Sequence, residues 1–281
     1  MMRRLTLSLV VFLSLICSAG LAFGAVEYIG YNHSGDCGSG CETLLDIVGD
    51  GVAEMYLGGN RYATDNPPCV GFFRGSIAPQ ELAALEALFR DPLFLQAAET
   101  DSSRTDSVFR TLTFRDSKLY VTKTFAQPSS PQTKVHLEKI YARLDAIRAK
   151  LLTSTPVVGL KVEVGRVTSK RSAVEVEFFL RNVGSEAVVL PTAPQISAEL
   201  RDASGSGVEL TPAGARDAAA TQSQNLAPGG RSQPMRLRAD LAGLPSTPTI
   251  IIWDCTFDAL FPSHDEPQRM AHVGKQPFVP Q

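Results

Sequence analysis

Cys37 and Cys41, with Gly38-Ser39-Gly40 between them, are the residues of this chain whose types and spacing best suit chemistry. Three chemistries fit the pair. A structural disulfide would fix the Gly- and Ser-rich loop before the next strand, as expected in an oxidising compartment. A copper- or zinc-binding pair is the second, because soft thiolates suit copper(I) and zinc. His33 lies four residues before Cys37, so His33, Cys37 and Cys41 can converge on one ion. A structural zinc site would add tighter spacing and a fourth ligand, and no fourth ligand is evident. Thiol–disulfide exchange is the third. Redox pairs usually sit as Cys-x-x-Cys at a helix N-terminus, where the thiolate is stabilised. This pair precedes a strand instead.

Other catalytic patterns are absent from the sequence. There is no Gly-x-Ser-x-Gly elbow and no glycine-rich phosphate loop in a strand–loop–helix setting. His136 falls beside the apolar stripe of a helix, and His264 and His272 fall near the C-terminus. The formal net charge is only −2, with no basic stripe interleaved with aromatics, which argues against nucleic acid as a partner. Hydrophobic content of 44% and charged content of 20% are those of a folded chain rather than a disordered one.

The first residues set the expected compartment. Arg3 and Arg4 precede an apolar run, Leu5 to Ile16, and Ala22-Phe23-Gly24 suits a signal peptidase, so residues 1–24 read as a signal peptide cut before Ala25. Ser14-Leu15-Ile16 before Cys17 is too bulky for a lipobox. No later stretch has the length of a membrane span. The expected location is periplasmic or secreted. Export leaves Cys37, Cys41, Cys69 and Cys255, an even set that favours disulfides. Three connectivities are open; Cys37 with Cys41 and Cys69 with Cys255 is the preferred one.

The elements that must position these residues read as follows. Val26 to Tyr31 is a strand. Thr43 to Val48 and Val52 to Leu57 form a hairpin, because Asp50-Gly51 between two apolar runs tolerates the positive φ of a tight turn. Val70 to Arg74 is another strand. Pro79 to Arg90 is a helix stopped by Asp91-Pro92, and Leu93 to Leu95 is an apolar plug. Val108 to Phe114 and Leu119 to Thr124 form a second hairpin. Ser130 caps a long helix with Pro131 at its first position. Val135 opens its amphipathic run, and Leu137, Ile140, Leu144, Ile147 and Leu151 recur at steps of three and four.

This order, with Cys37 and Cys41 at their spacing and Asp50-Gly51 in the hairpin, resembles a widespread bacterial domain of unknown function with a Cys-Phe-Gly-x-Cys-Pro signature. The resemblance covers roughly residues 26–152. The chain departs from it at Gly38-Ser39 and at Glu42, which stands in place of the proline. The resemblance implies no activity.

Thr153 to Pro156 reads as a boundary, after which the apolar period becomes two. Leu160–Val164 and Val174–Phe178 alternate, and turns recur at Asn182–Glu186 and Pro228-Gly229-Gly230. Short strands with regular turns predict a β-sandwich over 157–261, with Trp253 in its core. Pro212 to Asn225 reads as a long polar loop and 262–281 as an extended tail. Leu180–Ser185, Val188-Val189-Leu190 and Leu226–Gly230 resemble exported bacterial immunoglobulin-like modules, a pattern shared by some secreted proteinase-inhibitor domains.

The expected fold class is α+β: an antiparallel sheet with two helices over 25–152, followed by an immunoglobulin-like β-sandwich. The expected function is non-enzymatic, a binding or interaction module of the cell envelope that meets an envelope protein or surface ligand and requires no cofactor. A metal-binding or thiol-redox protein acting through Cys37 and Cys41 is the first alternative. A proteinase inhibitor acting through the sandwich is the second.

Overall fold

A computed structural model describes residues 25–34, 43–58, 69–99, 109–126, 130–170, 173–202, 204–213, 223–240, 248–261, 266–272 and 274–278. Cys37, Cys41, the 1–24 segment, His264 and most of the polar stretch after Pro212 lie outside them.

The first half supplies strands β1 (Val26–Ser34), β2 (Thr43–Val48), β3 (Val52–Leu57) and β4 (Val70–Ser76), helices α1 (Pro79–Phe89) and α2 (Pro92–Leu95), strands β5 (Phe109–Asp116) and β6 (Tyr120–Phe125), and helix α3 (Pro131–Leu152). The strands pair antiparallel in the order β4-β3-β2-β1-β5-β6. The β2–β3 hairpin forms where the Asp-Gly pair predicts it. Gly51 takes a φ of 83°, its N–H donates to the Val48 carbonyl, and Asp50 Oδ1 accepts from the Val52 N–H. Ser130 caps α3 by accepting the Thr133 N–H at 3.1 Å. Leu137, Ile140, Leu144, Ile147 and Leu151 are all buried against one sheet face, with Leu85 and Phe89 of α1 beside them. Val135 points out instead, at 54% exposure. The apolar plug is the helical turn α2: Asp91 accepts the Leu93 N–H and Phe94 alone is driven inside.

The second half supplies β7 (Val158–Lys170), β8 (Ala173–Asn182), β9 (Val188–Leu190), β10 (Gln195–Arg201), β11 (Gly207–Pro212), β12 (Gln224–Leu226), β13 (Met235–Asp240), β14 (Thr249–Ala259), β15 (Gln268–Ala271) and β16 (Gly274–Pro277). Strands β7, β8 and β13 form one layer, and β10, β14, β15 and β16 the other. Strand β11 runs beside β10 for four residues but meets β13 only at Thr211 and Pro212, so the hydrogen bonding turns the corner there. Inward side chains from both layers, among them Val176, Phe178, Leu180, Leu200, Ile250 and Phe257, share one buried core. This is a two-layer antiparallel β-sandwich. The stretch after 262 contributes two of its strands, both paired to β14.

The α+β class with two helices is corrected by these pairings. Among the described residues 54% are strand against 19% helix, with three helices, and one antiparallel sheet runs through both halves. The physical reason lies at β4. Val70, Gly71, Phe72 and Phe73 are all buried, because this strand has a core on each face. Phe73 packs with the helices, whereas Val70 and Phe72 pack into the sandwich. Its free edge is taken by β7, from Val70 opposite Leu160 to Phe72 opposite Val158. The break at Thr153–Pro156 ends a helix but does not end the sheet.

Candidate functional site

His33 is the one proposed metal ligand that falls within the described residues. It sits near the end of β1, opposite Thr43 of β2 and Arg110 of β5. Strand alternation puts Tyr31 and His33 on the face that α3 covers. Their rings stack, with centroids 6.2 Å apart and planes 7° from parallel. Tyr141 of α3 approaches Tyr31 at 6.1 Å. Two guanidinium groups complete the cluster: Arg110 lies 4.4 Å from the centre of the Tyr141 ring and Arg148 lies 5.9 Å from that of Tyr31. Asp145, one turn before Arg148 on α3, binds its Nη1 at 2.8 Å.

The electrostatics of this corner follow from burial and those two arginines. Burial lowers the pKa of His33, and Arg110 and Arg148 lower it further, while Asp145 acts in the opposite direction. The imidazole is therefore held in its neutral form at pH 7. Burial raises the Tyr31 and Tyr141 hydroxyls, so both stay protonated. Among the described residues no group of three or more His, Cys, Asp or Glu side chains could hold a metal ion. The sequence reading missed Arg110, Tyr141 and Arg148. Their signal is weak: one alternating position on β5, and two positions seven apart on the flank of α3 beside Leu144.

Cys69 and Cys255 are free, buried thiols, not bonded to each other. Each belongs to a different core, Cys69 to the helix-covered one and Cys255 to the sandwich. Burial pushes the Cys69 thiol up to about 11 and raises that of Cys255 as well. Neither is a thiolate at neutral pH, and neither suits nucleophilic chemistry.

His136 and His272 are structural. His136 is buried and its Nε2 lies 2.9 Å from the Leu88 carbonyl, tying α3 to α1. His272 is buried in the sandwich half, where its backbone N–H donates to the Cys255 carbonyl of β14 and its Nδ1 faces the Val162 N–H of β7.

Trp253 departs from the sequence expectation. It is 48% exposed rather than in the sandwich core. Inward positions on β14 are Ile250 and Ile252, then Cys255, Phe257 and Ala259, so the alternation slips by one. The slip is a β-bulge: Ala198 pairs with Ile252 and Ser197 with Asp254, which leaves Trp253 without a partner on β10. On the other edge β16 pairs up to Ile252 and β15 starts at Thr256. Trp253, next to the inward Ile252, faces out by ordinary alternation; the bulge leaves it without a partner on β10 and returns Cys255 to the core.

The motif behind the immunoglobulin-like resemblance has a structural role. Asn182 is fully buried. Its Nδ2 donates to the carbonyls of Glu186 and Leu226, and its Oδ1 accepts the Gly184 N–H. Its backbone N–H donates to Gly230, and its carbonyl accepts from Gly229. The Asn182–Glu186 turn, β12 and the Pro228–Gly230 turn are thus pinned to one residue, the first two through its side chain and the third through its backbone.

Among the described residues no helix is long and apolar enough to cross a membrane. No family model matches the sequence, and no curated protein matches it. A solved structure similar to part of the chain is the ASH / PapD-like domain of human CEP192 (PapD-like domain 7). It shares 16% identity, covering 46% of this chain and 92% of that chain, with a TM-score of 0.20. At that score nothing follows from it for this chain.

Proposed function

We propose that this protein is an exported, non-enzymatic binding or interaction module of the bacterial cell envelope, meeting a protein or surface ligand through its sandwich half. The observation that supports this reading is Trp253. An indole is costly to leave in water, and exposed tryptophan is enriched where partners bury a hot spot. In this chain the indole is 48% exposed at a bulge where no residue of β10 pairs with it. The reading requires no cofactor.

Trp253 is the only tryptophan of the chain, so it can be watched alone. The mature protein is labelled with 5-fluorotryptophan and its single fluorine resonance is followed as bacterial envelope extract is added. The expected result is a shift or broadening that cytosolic extract does not produce. The partner responsible should be retained on immobilised wild-type protein and lost from W253A. An unchanged resonance at saturating envelope extract would overturn the proposal.

A further inference from the structure

Among the described residues, the corner between β1, β5 and α3 sets two guanidinium groups, Arg110 and Arg148, against one carboxylate, Asp145. Arg148 shares one nitrogen with Asp145. Its Nε and the Tyr31 hydroxyl are both buried, lie near each other, and yet neither completes a hydrogen bond in good geometry. Arg110 has no carboxylate partner among the described residues and is held only by the Tyr141 ring. An aromatic face fixes a guanidinium without consuming its charge or its in-plane N–H donors. Two guanidinium forks, one held on a ring and one with its Nε–H unpartnered among the described residues, beside a buried hydroxyl, form the environment that bidentate oxyanions fit. The same charge opposes a divalent cation.

We propose that Arg110 and Arg148 form a binding site for a small oxyanion, a carboxylate or phosphate group, walled by the rings of Tyr31, His33 and Tyr141. The site is independent of the Trp253 face and stands or falls separately from it. The anion takes the vacant donors of Arg110 and the Nε–H of Arg148, with the Tyr31 hydroxyl as a further donor. Asp145 keeps Arg148 in place while leaving that side of the fork open.

The test is a titration of the mature protein followed through the side-chain Nε–H signals of its arginines. Sodium phosphate, sodium acetate and sodium chloride are compared at constant ionic strength. Saturable shifts of the Arg110 and Arg148 signals with phosphate, acetate or both, beyond those with chloride, support the site, and the pattern says which oxyanion it takes. R110Q should weaken the apparent affinity about tenfold, the cost of one charged hydrogen-bonding partner. R110K, which keeps the charge but loses the fork, should also weaken it and covers the case in which R110Q does not fold. Shifts no larger than with chloride overturn the proposal. So do equal shifts at Arg74 and Arg236, which are already paired with Glu54 and Glu177, or binding unchanged in the Arg110 variants.

Discussion

Asp116 shows how one side chain closes a hairpin and titrates with the fold. It is buried at the end of β5, where Oδ1 accepts the Lys118 and Leu119 N–H groups at 2.6 and 2.7 Å and Oδ2 meets Arg90 at 2.5 Å. Burial alone would raise its pKa. The two backbone donors and the guanidinium outweigh burial and hold the carboxyl below its usual range. A depressed folded pKa means that the unfolded chain binds the proton more readily. The stability Asp116 contributes is therefore full above the unfolded value of about 3.9 and is lost as pH falls through the folded one. D116N should destabilise the protein at pH 7 by roughly 2 kcal/mol. It should also flatten the fall in stability below about pH 4. Urea unfolding of both proteins between pH 3 and 7 measures this; parallel curves would remove Asp116 from the account.

Strand β4 carries the join between the two halves, and Gly71, the glycine that faces β7, is the sensitive position. Gly71 has a φ of 146°, and a Cβ there would overlap the Val158 carbonyl oxygen of β7. Both the backbone angle and the close strand approach exclude a side chain. G71A should cost about 2–4 kcal/mol, in the range of strained backbone substitutions. F73A, one face away, should cost a comparable amount by emptying the helix-side core. The two differ in what they loosen. G71A should raise amide exchange along β7 around Val158–Leu160, whereas F73A should raise it in α1 and α3. Hydrogen exchange read by element distinguishes them, and an identical pattern for both would contradict the division of β4 between two cores.

At the scale of the whole molecule, the halves are joined by more than one ladder. Besides β4 and β7, the Ala271 N–H donates to the Gly58 carbonyl, and Tyr56 meets Phe261 edge-on at 5.6 Å. The last strands of the chain thus close back on the first half. Such a seam predicts one unfolding transition. Cys69 and Cys255 report on it, one in each core. Pulsed alkylation across a urea series, mapped by peptide, should expose both thiols at the same midpoint. Separate midpoints would mean that the halves unfold independently.

The sequence by itself determined the local elements: the Asp50-Gly51 turn, the Ser130 cap, the α3 stripe and the alternation of the sandwich strands. These depend on contacts within a few residues, which turn chemistry and periodicity record. Tertiary structure alone decided the rest. Val70–Phe73 reads as one more strand, and only the arrival of β7 makes it a strand with two cores. Trp253 reads as core because it follows Ile250–Ile252, and only the pairing with β10 and the shared core show that Ile250 and Ile252 face in, which puts Trp253 outside. Arg110 and Arg148 are 38 positions apart, from their numbers, and no spacing rule links them to His33. They meet because β5 pairs with β1 while α3 crosses the same face. Residues brought together by non-local pairing leave no local pattern, so the oxyanion corner becomes visible only after the sheet is assembled.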